Sequence, residues 1–227
     1  MKLAPFDQPL ATVYGSLIHH RTELEALGDA AHQPPYNAPP QAPVLYIKPA
    51  NTFSAFDARI ALPAGHKQVR ARACVGLFFK QNWQIAGKNT AQSAIDLIVS
   101  DVVEIALLCD FTIPHNSFHR PPVKFNAFDG SLGLPAQIIE AGSVDLGNLQ
   151  IETWVSGVCM HSYSNADWLL PAAQQLQTVS EFIAFEAGDV LMMGFPPDAP
   201  LVQAGDVVEV RMNGYTFTRN SITEVNA

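Results

Sequence analysis

The strongest restriction on the fold comes from a turn that occurs twice near the C-terminal end. The sequence Ala-Gly-Asp-Val occupies residues 187–190 and again residues 204–207, and an apolar stretch follows each copy. Glycine accepts a positive φ and the aspartate side chain binds nearby backbone amides. Each copy therefore predicts a tight turn that leads into a strand.

Short strands are also predicted in the rest of the chain. Residues 11–18 and 44–47 are short apolar segments, and Val75–Phe79 is a continuous apolar run typical of a buried strand. Leu149–Val155 alternates apolar and polar residues, as a half-buried strand does. We therefore expect an α+β fold in which β-structure dominates.

Helical patterns are fewer. Trp168–Phe185 carries apolar residues at helical spacing, and Asn165 or Asp167 is a candidate cap for this helix. Glu23–Ala31 also has a helix-like pattern, and Thr90–Leu107 is interpreted as a helix that runs into a strand. The sequence thus predicts one prominent helix near residue 175.

The region before residue 69 differs in character from the rest. Residues 33–43 are rich in proline, which fixes φ and removes amide donors, so this piece predicts irregular structure. A linker is one interpretation, but the apolar strand that follows favours a loop laid over the main body. We expect residues 1–68 to form an N-terminal lobe packed on a main domain of residues 69–227, the two making one structural unit.

Composition limits the class of protein. Hydrophobic residues make up 48% and charged residues 15% of the 227 residues, which predicts a large core and an exterior partly covered by another subunit, although a compact monomer has similar values. The net charge of −8 argues against a nucleic-acid partner. Neither a signal peptide nor a membrane span is predicted, and the three dispersed cysteines suit a reducing cytoplasm.

Several segments occur in the order seen in a known family. Residues 46–52 read Tyr-Ile-Lys-Pro-Ala-Asn-Thr, and Asp110 is followed by Phe-His-Arg-Pro-Pro-Val-Lys at residues 118–124. The two Ala-Gly-Asp-Val turns close the series. Together they resemble the fumarylacetoacetate hydrolase family from about residue 13 to the end of the chain. The nearest resemblance is to the N-terminal half, or separate subunit, of the bifunctional isomerase/decarboxylases of 4-hydroxyphenylacetate (homoprotocatechuate) catabolism.

This resemblance implies a fold and a chemistry. The fold is a mixed β-roll that assembles as a dimer or larger oligomer. The ligand is a small unsaturated oxo-dicarboxylate or tricarboxylate. Members of the family typically work with Mg²⁺ or Mn²⁺, which stabilises the enolate that forms on the oxo oxygen and needs hard oxygen ligands.

The expected metal ligands are largely missing. The resemblance places the two glutamates of the family's Glu-x-Glu pair at Ala71 and Ala73, with Arg70 and Arg72 beside them. The third ligand position matches Asp110. One carboxylate is a poor Mg²⁺ site, so no bound metal is expected, and a paired structural aspartate is the alternative interpretation of Asp110.

The acid/base group of the family is also altered. Its hydrolases carry a histidine and a glutamate three residues apart on a short helix, and Glu23 and Ala26 match those positions here. His19, His20 and Glu23 still form a candidate acid/base group, because a histidine beside a carboxylate titrates near neutrality. The alternative interpretation is that these three are ordinary loop residues.

Cationic residues supply the remaining candidates. The resemblance places Lys124 and Lys48 near the ligand, where an ammonium group pairs with a carboxylate or an enolate oxygen, and Lys124 is the stronger catalytic candidate. His119 and Arg120 are candidates for binding a second carboxylate. Exposed salt bridges are the alternative for all four. Phe195 stands where the resemblance places a threonine, and phenylalanine lacks the hydroxyl group that the threonine offers to a substrate carboxylate.

Three functions remain open from the sequence. One is an enzyme that isomerises or decarboxylates a meta-cleavage product of aromatic-acid catabolism. Another is a non-catalytic subunit that completes the assembly of a metal-bearing paralogue. A third is a C–C bond hydrolase of the same family, against which the altered acid/base segment argues.

Overall fold

The computed structural model describes residues 1–84, 101–115 and 123–225. Within these ranges β-strands predominate, as expected for a β-dominated α+β fold, which is confirmed. The strands are β1 Leu3–Pro5, β2 Val13–Leu17, β3 Val44–Lys48, β4 Phe53–Ser54, β5 Arg59–Ala61, β6 Gln68–Phe79, β7 Val103–Thr112, β8 Leu132–Gly133, β9 Gln137–Glu140, β10 Gln150–Val155, β11 Val158–Ser164, β12 Val190–Met192, β13 Leu201–Gln203, β14 Val207–Met212 and β15 Tyr215–Thr223.

Helices in the described part of the chain are short. The α-helices are α1 Arg21–Leu27, α2 Val123–Asn126 and α3 Ala172–Ser180, and 3-10 turns cover Gly28–His32, Ala50–Thr52, Ala141–Ser143 and Asn165–Asp167. None of these described helices is long and apolar enough to cross a membrane.

The larger of two open sheets is built around β6 and β7. Among the described residues its strands follow the order β1-β9-β7-β6-β12-β2-β3, with β13 paired to β6 and β8 paired to β7 and β4. Most pairs are antiparallel, but β12 runs parallel to β2 and β4 runs parallel to β8. Both faces of β6 and β7 are buried over most of their length, so this pair forms the centre of the core.

The smaller sheet covers one face of that centre. Its order is β11-β10-β14-β15-β5 within the described residues. Close packing between the sheets is visible at Gly133, the strand partner of Cys109, where an added Cβ would lie 2.2 Å from Asn220 Oδ1 of β15 and 3.4 Å from the Cβ of Cys109. The face of β7 that carries Cys109 therefore faces the smaller sheet.

Both Gly-Asp turns form as predicted. Gly188 and Gly205 have φ of 91° and 97°, values that favour glycine. In each turn the aspartate closes the loop: Asp189 Oδ2 accepts from the Glu186 amide at 2.9 Å, and Asp206 Oδ2 accepts from the Gln203 amide at 2.9 Å. A strand follows both turns, β12 after the first and β14 after the second.

The prominent helix is shorter than its apolar pattern predicts. It spans Ala172–Ser180 rather than Trp168–Phe185, because Trp168 is held to the rest of the fold: its indole Nε1 donates to Gly194 O at 2.8 Å. Asn165 does not cap this helix but binds Leu149 N through its side chain at 2.6 Å. Tertiary contacts thus decide where the helix begins.

The other two helix predictions are changed in the same way. The helix expected at Glu23–Ala31 begins at Arg21 and ends at Leu27, where Gly28 with a φ of 48° stops it. The segment Thr90–Leu107 was expected to pass from a helix into a strand. Its strand part is β7, which begins at Val103, and residues 90–100 of the predicted helix lie outside the described residues.

Residues 1–68 contribute to both sheets. β2 pairs with β12, β1 pairs with β9, and β5 pairs with β15. β6 itself begins at Gln68, so the expected boundary between lobe and main domain falls inside a strand of the core.

Candidate functional site

A buried ion pair lies at the centre of the larger sheet. Arg72 of β6 and Asp110 of β7 are directly opposite each other in the antiparallel pair, so both side chains leave the sheet on the same face. The Asp110 side chain has no exposed surface and that of Arg72 is 4% exposed, and an Arg72 Nη2 hydrogen bond joins the guanidinium to Asp110 Oδ2. Strand register alone thus brings these two charges together.

Strand β3 adds two more groups to the same carboxylate. Tyr46 and Lys48 are two residues apart and therefore point to the same side. The Tyr46 hydroxyl donates to Asp110 Oδ2 at 2.5 Å, and Lys48 Nζ lies 2.5 Å from Asp110 Oδ1. Oδ2 of Asp110 therefore accepts hydrogen bonds from the protein, and its Oδ1 lies in an ion pair with Lys48.

Lys48 is itself fully buried and well supplied with acceptors. Besides Asp110, its Nζ donates to Ser131 Oγ at 3.0 Å, to Ser131 O at 3.1 Å and to Phe111 O at 3.4 Å. An ammonium group has three N–H donors, so these acceptors use its full capacity. The resemblance placed Lys48 near the ligand, and in the structure its ammonium is bound by protein groups, among them Asp110.

The charges set the ionisation of this cluster. Burial on its own would raise the pKa of Asp110, but the Arg72 and Lys48 cations outweigh it and hold that pKa below its ordinary value. Burial opposes the charge of Arg72, and the neighbouring Asp110 more than compensates, so the pKa of Arg72 is raised. Arg72 is therefore a guanidinium and Asp110 a carboxylate at neutral pH.

One more side chain contacts this group: Asn126 Oδ1 accepts a hydrogen bond from Arg72 Nη2 at 3.2 Å. We call Tyr46, Lys48, Arg72, Asp110 and Asn126 the carboxylate cluster.

A second polar group lies at the start of α1. His19, His20 and Glu23 are each no more than 2% exposed, although the sequence also allowed them to be ordinary loop residues. Glu23 occupies the third position of α1, from which its carboxylate accepts backbone amides of the turn before the helix, including His19 N at 3.2 Å. Ile18 in this turn has a φ of 55°, a strained value for a β-branched residue. The turn is thus shaped around the Glu23 carboxylate.

Burial shifts the ionisation of this group. Burial raises the pKa of Glu23 to about 7, against the opposing effects of Arg72 and the backbone amides. Burial, together with the neighbouring His20, lowers the pKa of His19 to about 4, and burial also lowers the pKa of His20. Glu23 therefore exchanges a proton close to neutral pH, while His19 is a neutral imidazole there.

Gly194 and Phe195 join the two groups. A Cβ added to Gly194 would lie 2.7 Å from the Cβ of His19, so the backbone there packs directly on the His19 turn. The ring of Phe195 lies 4.2 Å from the guanidinium carbon of Arg72, a cation–π contact. Phe195 replaces a hydroxyl donor, as the sequence indicated, but it also gives Arg72 a flat apolar face. The carboxylate cluster and the His19 turn therefore form one continuous site.

Several buried polar atoms in this site have no hydrogen-bond partner among the described residues. Besides Asp110 Oδ1, which faces the Lys48 ammonium in an ion pair, they are Arg72 Nε, Glu23 Oε1, His20 Nε2 and both ring nitrogens of His19. Buried polar atoms are nearly always paired, and an unpaired one costs about 1–3 kcal/mol unless water or a ligand satisfies it. These five atoms on four residues leave hydrogen-bonding capacity in this site that water or the polar atoms of a ligand would satisfy.

The residues at this position do not fit a divalent cation. Ala71 and Ala73 alternate with Arg72 along β6, so they lie on the opposite face from Asp110, together with Cys109 and the smaller sheet. Carboxylates there could not converge with Asp110. The positions that share its face are those of Arg70 and Arg72, while the placement of the family's glutamate pair at Ala71 and Ala73 stays a prediction from the resemblance. Both oxygens of Asp110 are already bound.

The remaining predicted residues are not brought into this cluster. Lys124 lies exposed in α2, whereas Asn126 in the same helix is buried and contacts Arg72. His119 and Arg120 lie outside the described residues. Tyr46 and Asn126 belong to the cluster, and Ser131 binds its Lys48, although the sequence alone gave these three residues no role, since their positions depend on contacts between segments distant in the chain. Tyr46 lies two residues before Lys48 in the same predicted strand, and this spacing alone indicated that both side chains point to the same side.

Two packed open sheets, with a buried polar site on the face of the central strands turned away from the smaller sheet, define a chain with the fold of the fumarylacetoacetate hydrolases. The sequence model for the fumarylacetoacetate (FAA) hydrolase C-terminal domain matches residues 12–223, and the chain belongs to this family.

Two relatives illustrate the range of activities in this family. The chain is 32% identical over 93% of its length to a 4-hydroxyphenylacetate degradation bifunctional isomerase/decarboxylase of Salmonella dublin, of which it covers 47%. It is 26% identical over 95% of its length to an oxaloacetate tautomerase of Escherichia coli, of which it covers 94%. The chain thus spans about half the length of the bifunctional relatives it matches.

Solved structures share the fold. The 5-carboxymethyl-2-hydroxymuconate delta-isomerase of Mycobacterium smegmatis superposes with a TM-score of 0.76 at 15% identity, over 96% of this chain and 80% of that one. At this identity the likeness concerns the fold alone.

Proposed function

We propose that this chain isomerises or decarboxylates a small unsaturated oxo-dicarboxylate or tricarboxylate of aromatic-acid catabolism. The reactions are of the 2-hydroxyhepta-2,4-diene-1,7-dioate isomerase and 5-oxopent-3-ene-1,2,5-tricarboxylate decarboxylase types. The observation that carries the proposal is a buried acid, Glu23, with a pKa of about 7 beside the Arg72 guanidinium and a set of unpartnered polar atoms. The bifunctional relatives named above support the reaction type.

Both reactions pass through the same kind of intermediate. In the isomerisation, a 2-oxo-3-enoate loses a proton from C5, and the electron pair moves through the double bond to the oxo oxygen. The resulting dienolate is protonated on that oxygen to give the 2-hydroxy-2,4-dienoate. In the decarboxylation, the pair of the breaking C–C bond enters the same conjugated system as CO₂ leaves. The site must therefore move one proton and stabilise one oxyanion.

Glu23 is our candidate for the proton transfer. A general acid/base works best when its pKa lies near the working pH, and burial gives Glu23 such a pKa. Its Oε1 has no partner among the described residues, so it is available to a substrate. His20 stands beside it, with Nδ1 bound to Thr22 Oγ1 at 2.8 Å and Nε2 without a described partner. We keep His20 as a second proton carrier.

The test is to purify the chain alone and follow the change in dienol absorbance and the release of CO₂. Glu23→Gln should lower kcat by about 10²- to 10⁴-fold, since it removes the acid/base group. Glu25→Gln changes an exposed carboxylate of the same helix and serves as the control that retains activity. Wild-type kcat in the Glu23→Gln variant would exclude this role.

A second function is supported by a different observation. Asp110 is bound by Tyr46, Lys48 and Arg72, so the position that carries a metal in the family is closed to one. A chain of this kind can serve as the non-catalytic subunit of a metal-bearing paralogue. Under that alternative the lone chain is inactive in both assays and the paralogue restores turnover.

We also propose a cytoplasmic location and assembly with further copies of this chain or with a paralogue. The support is the family membership and the low content of charged residues, 15% of the sequence. Sedimentation of the purified chain, alone and mixed with a paralogue, would measure the assembly.

A further inference from the structure

Arg72 is held more firmly than a surface arginine. Its Nη2 is bound to Asp110 and Asn126, its flat face lies on the ring of Phe195, and the Tyr46 ring centre is 5.8 Å from its guanidinium carbon. A guanidinium fixed in this way loses little freedom when it binds a further group. It is a pre-organised cation at the base of the site.

Arg72 also retains donor capacity. A guanidinium carries five N–H donors, and Nε of Arg72 is buried without a partner among the described residues. Lys48, the other cation of the carboxylate cluster, has its ammonium engaged by Asp110, Ser131 and Phe111. Of these two cations, Arg72 is therefore the one able to bind a ligand oxyanion.

We infer that Arg72 takes over the work of a divalent metal by holding the oxo oxygen of the substrate and stabilising its enolate, so that turnover needs no metal. This inference rests on the proposed function. The strand register supports it, because Arg72 stands on the same face as Asp110, which the resemblance matches to the third metal ligand of the family. Asp110, which would otherwise be a metal ligand, instead positions the guanidinium.

Arg72 also supplies the positive charge that the enolate requires. As the C5 proton or the carboxylate leaves, negative charge builds on the oxo oxygen. A buried guanidinium donating a charge-assisted hydrogen bond stabilises that charge, because the site is shielded from water. The departing proton passes to Glu23, whose carboxylate interacts electrostatically with Arg72. No oxidant or further reactant is needed.

Three measurements test the inference. The wild-type chain should keep its kcat after exhaustive treatment with EDTA and gain nothing from added Mg²⁺ or Mn²⁺. Arg72→Gln should lower kcat by about 10²- to 10³-fold, the usual effect of removing an oxyanion donor. Arg72→Ala should recover part of the lost kcat when guanidinium is added. Arg211→Gln is the matched control, since Arg211 also pairs with a carboxylate and lies over an aromatic ring, that of Trp154 at 4.3 Å.

The opposite results overturn the inference. They are a kcat that falls at least about tenfold with EDTA and returns with Mg²⁺, or a normal kcat in Arg72→Gln. Circular dichroism of each variant shows whether its loss of activity reflects unfolding, and Arg72→Lys is the variant that keeps a positive charge next to Asp110. Activity retained by folded Arg72→Lys at a reduced kcat would agree with a cationic role.

Binding of oxalate, a planar dianion that resembles the enolate of a 2-oxo acid, separates this inference from the proposed function. Calorimetry in the presence of EDTA should show oxalate bound by wild type and by Arg211→Gln, and bound at least about tenfold more weakly by Arg72→Gln. If wild type binds oxalate in this way but turns over neither substrate, the proposed reactions fail and the anion site stands. If wild type needs a metal to bind oxalate, the inference fails.

Discussion

A fully buried carboxylate must be neutralised, and Asp110 is neutralised by two cations and a hydroxyl group. Moving charges out of water costs several kcal/mol per ion, so a buried ion pair adds little net stability, while removal of one partner costs about 3–5 kcal/mol. Arg72, Lys48 and Asp110 are therefore strongly dependent on one another. Such a cluster fixes positions, which is what a binding site requires.

The ionisation of Glu23 should make the free energy of unfolding depend on pH. Its pKa is about 7 in the folded chain against the ordinary value of 4.5. Below pH 4.5 the carboxyl is protonated in both states, and between pH 4.5 and 7 the unfolded chain alone releases the proton. This group therefore lowers the free energy of unfolding as pH rises through that window, by about 3 kcal/mol in total.

Glu23→Gln removes this titration and keeps the shape of the side chain. The free energy of unfolding of the variant, minus that of wild type, should rise by about 3 kcal/mol from pH 4.5 to pH 7 and stay constant above. His19 titrates in both proteins and cancels in the difference. Urea unfolding at a series of pH values measures it, and parallel curves for the two proteins would contradict the assignment.

At the scale of single elements, the two Ala-Gly-Asp-Val turns share a sequence and a local conformation but not their surroundings. An added Cβ at Gly188 would lie 2.8 Å from the carbonyl oxygen of Pro9, a backbone atom, whereas nothing lies within 4 Å of one at Gly205. The first turn is packed against the chain before β2, which it also binds through Asp189 and the Thr12 amide at 2.9 Å. The second turn has open space around it.

The two glycines therefore form a matched pair for mutation. Gly205→Ala should lower the free energy of unfolding by about 1–3 kcal/mol, the cost of a non-glycine residue in this backbone region. Gly188→Ala should cost about 1–3 kcal/mol more, because the Pro9 backbone must move. Chemical denaturation of both variants gives the comparison, and equal losses would show that the contact with Pro9 carries no energy.

Several elements were predictable because their signals are local. The turns at Gly188 and Gly205, β3, β10 and the strand containing Val75–Phe79 all form where the sequence predicted them. The start of α3 was not predictable, because the indole of Trp168 is bound to Gly194, a residue far along the chain. Local patterns do not contain such contacts.

At the scale of the whole molecule, the N-terminal segment is part of the sheets. β2 and β3 lie at one side of β12, and Lys48 and Tyr46 of β3 complete the carboxylate cluster. Without them Asp110 and Arg72 would face solvent or an incomplete core. Residues 1–68 therefore supply both structure and site.

We expect a fragment of residues 69–227 to lack a cooperative unfolding transition. Its loss of β2 exposes the edge of β12, and its loss of β5 exposes the edge of β15. Thermal unfolding followed by circular dichroism would test this, with the full chain as control. A cooperative transition in the fragment would show that residues 69–227 fold on their own.

The sequence by itself determined the β-dominated class, the paired turns, and the residues Lys48, Asp110, His20 and Glu23 as candidates for a site. Only the tertiary structure decided which of them meet. Side chains of a strand alternate between its faces, so a shift of one residue separates Arg72, which meets Asp110, from Ala71 and Ala73, which face the smaller sheet. That register depends on pairing between β6 and β7 along their whole length, and local sequence patterns do not fix it.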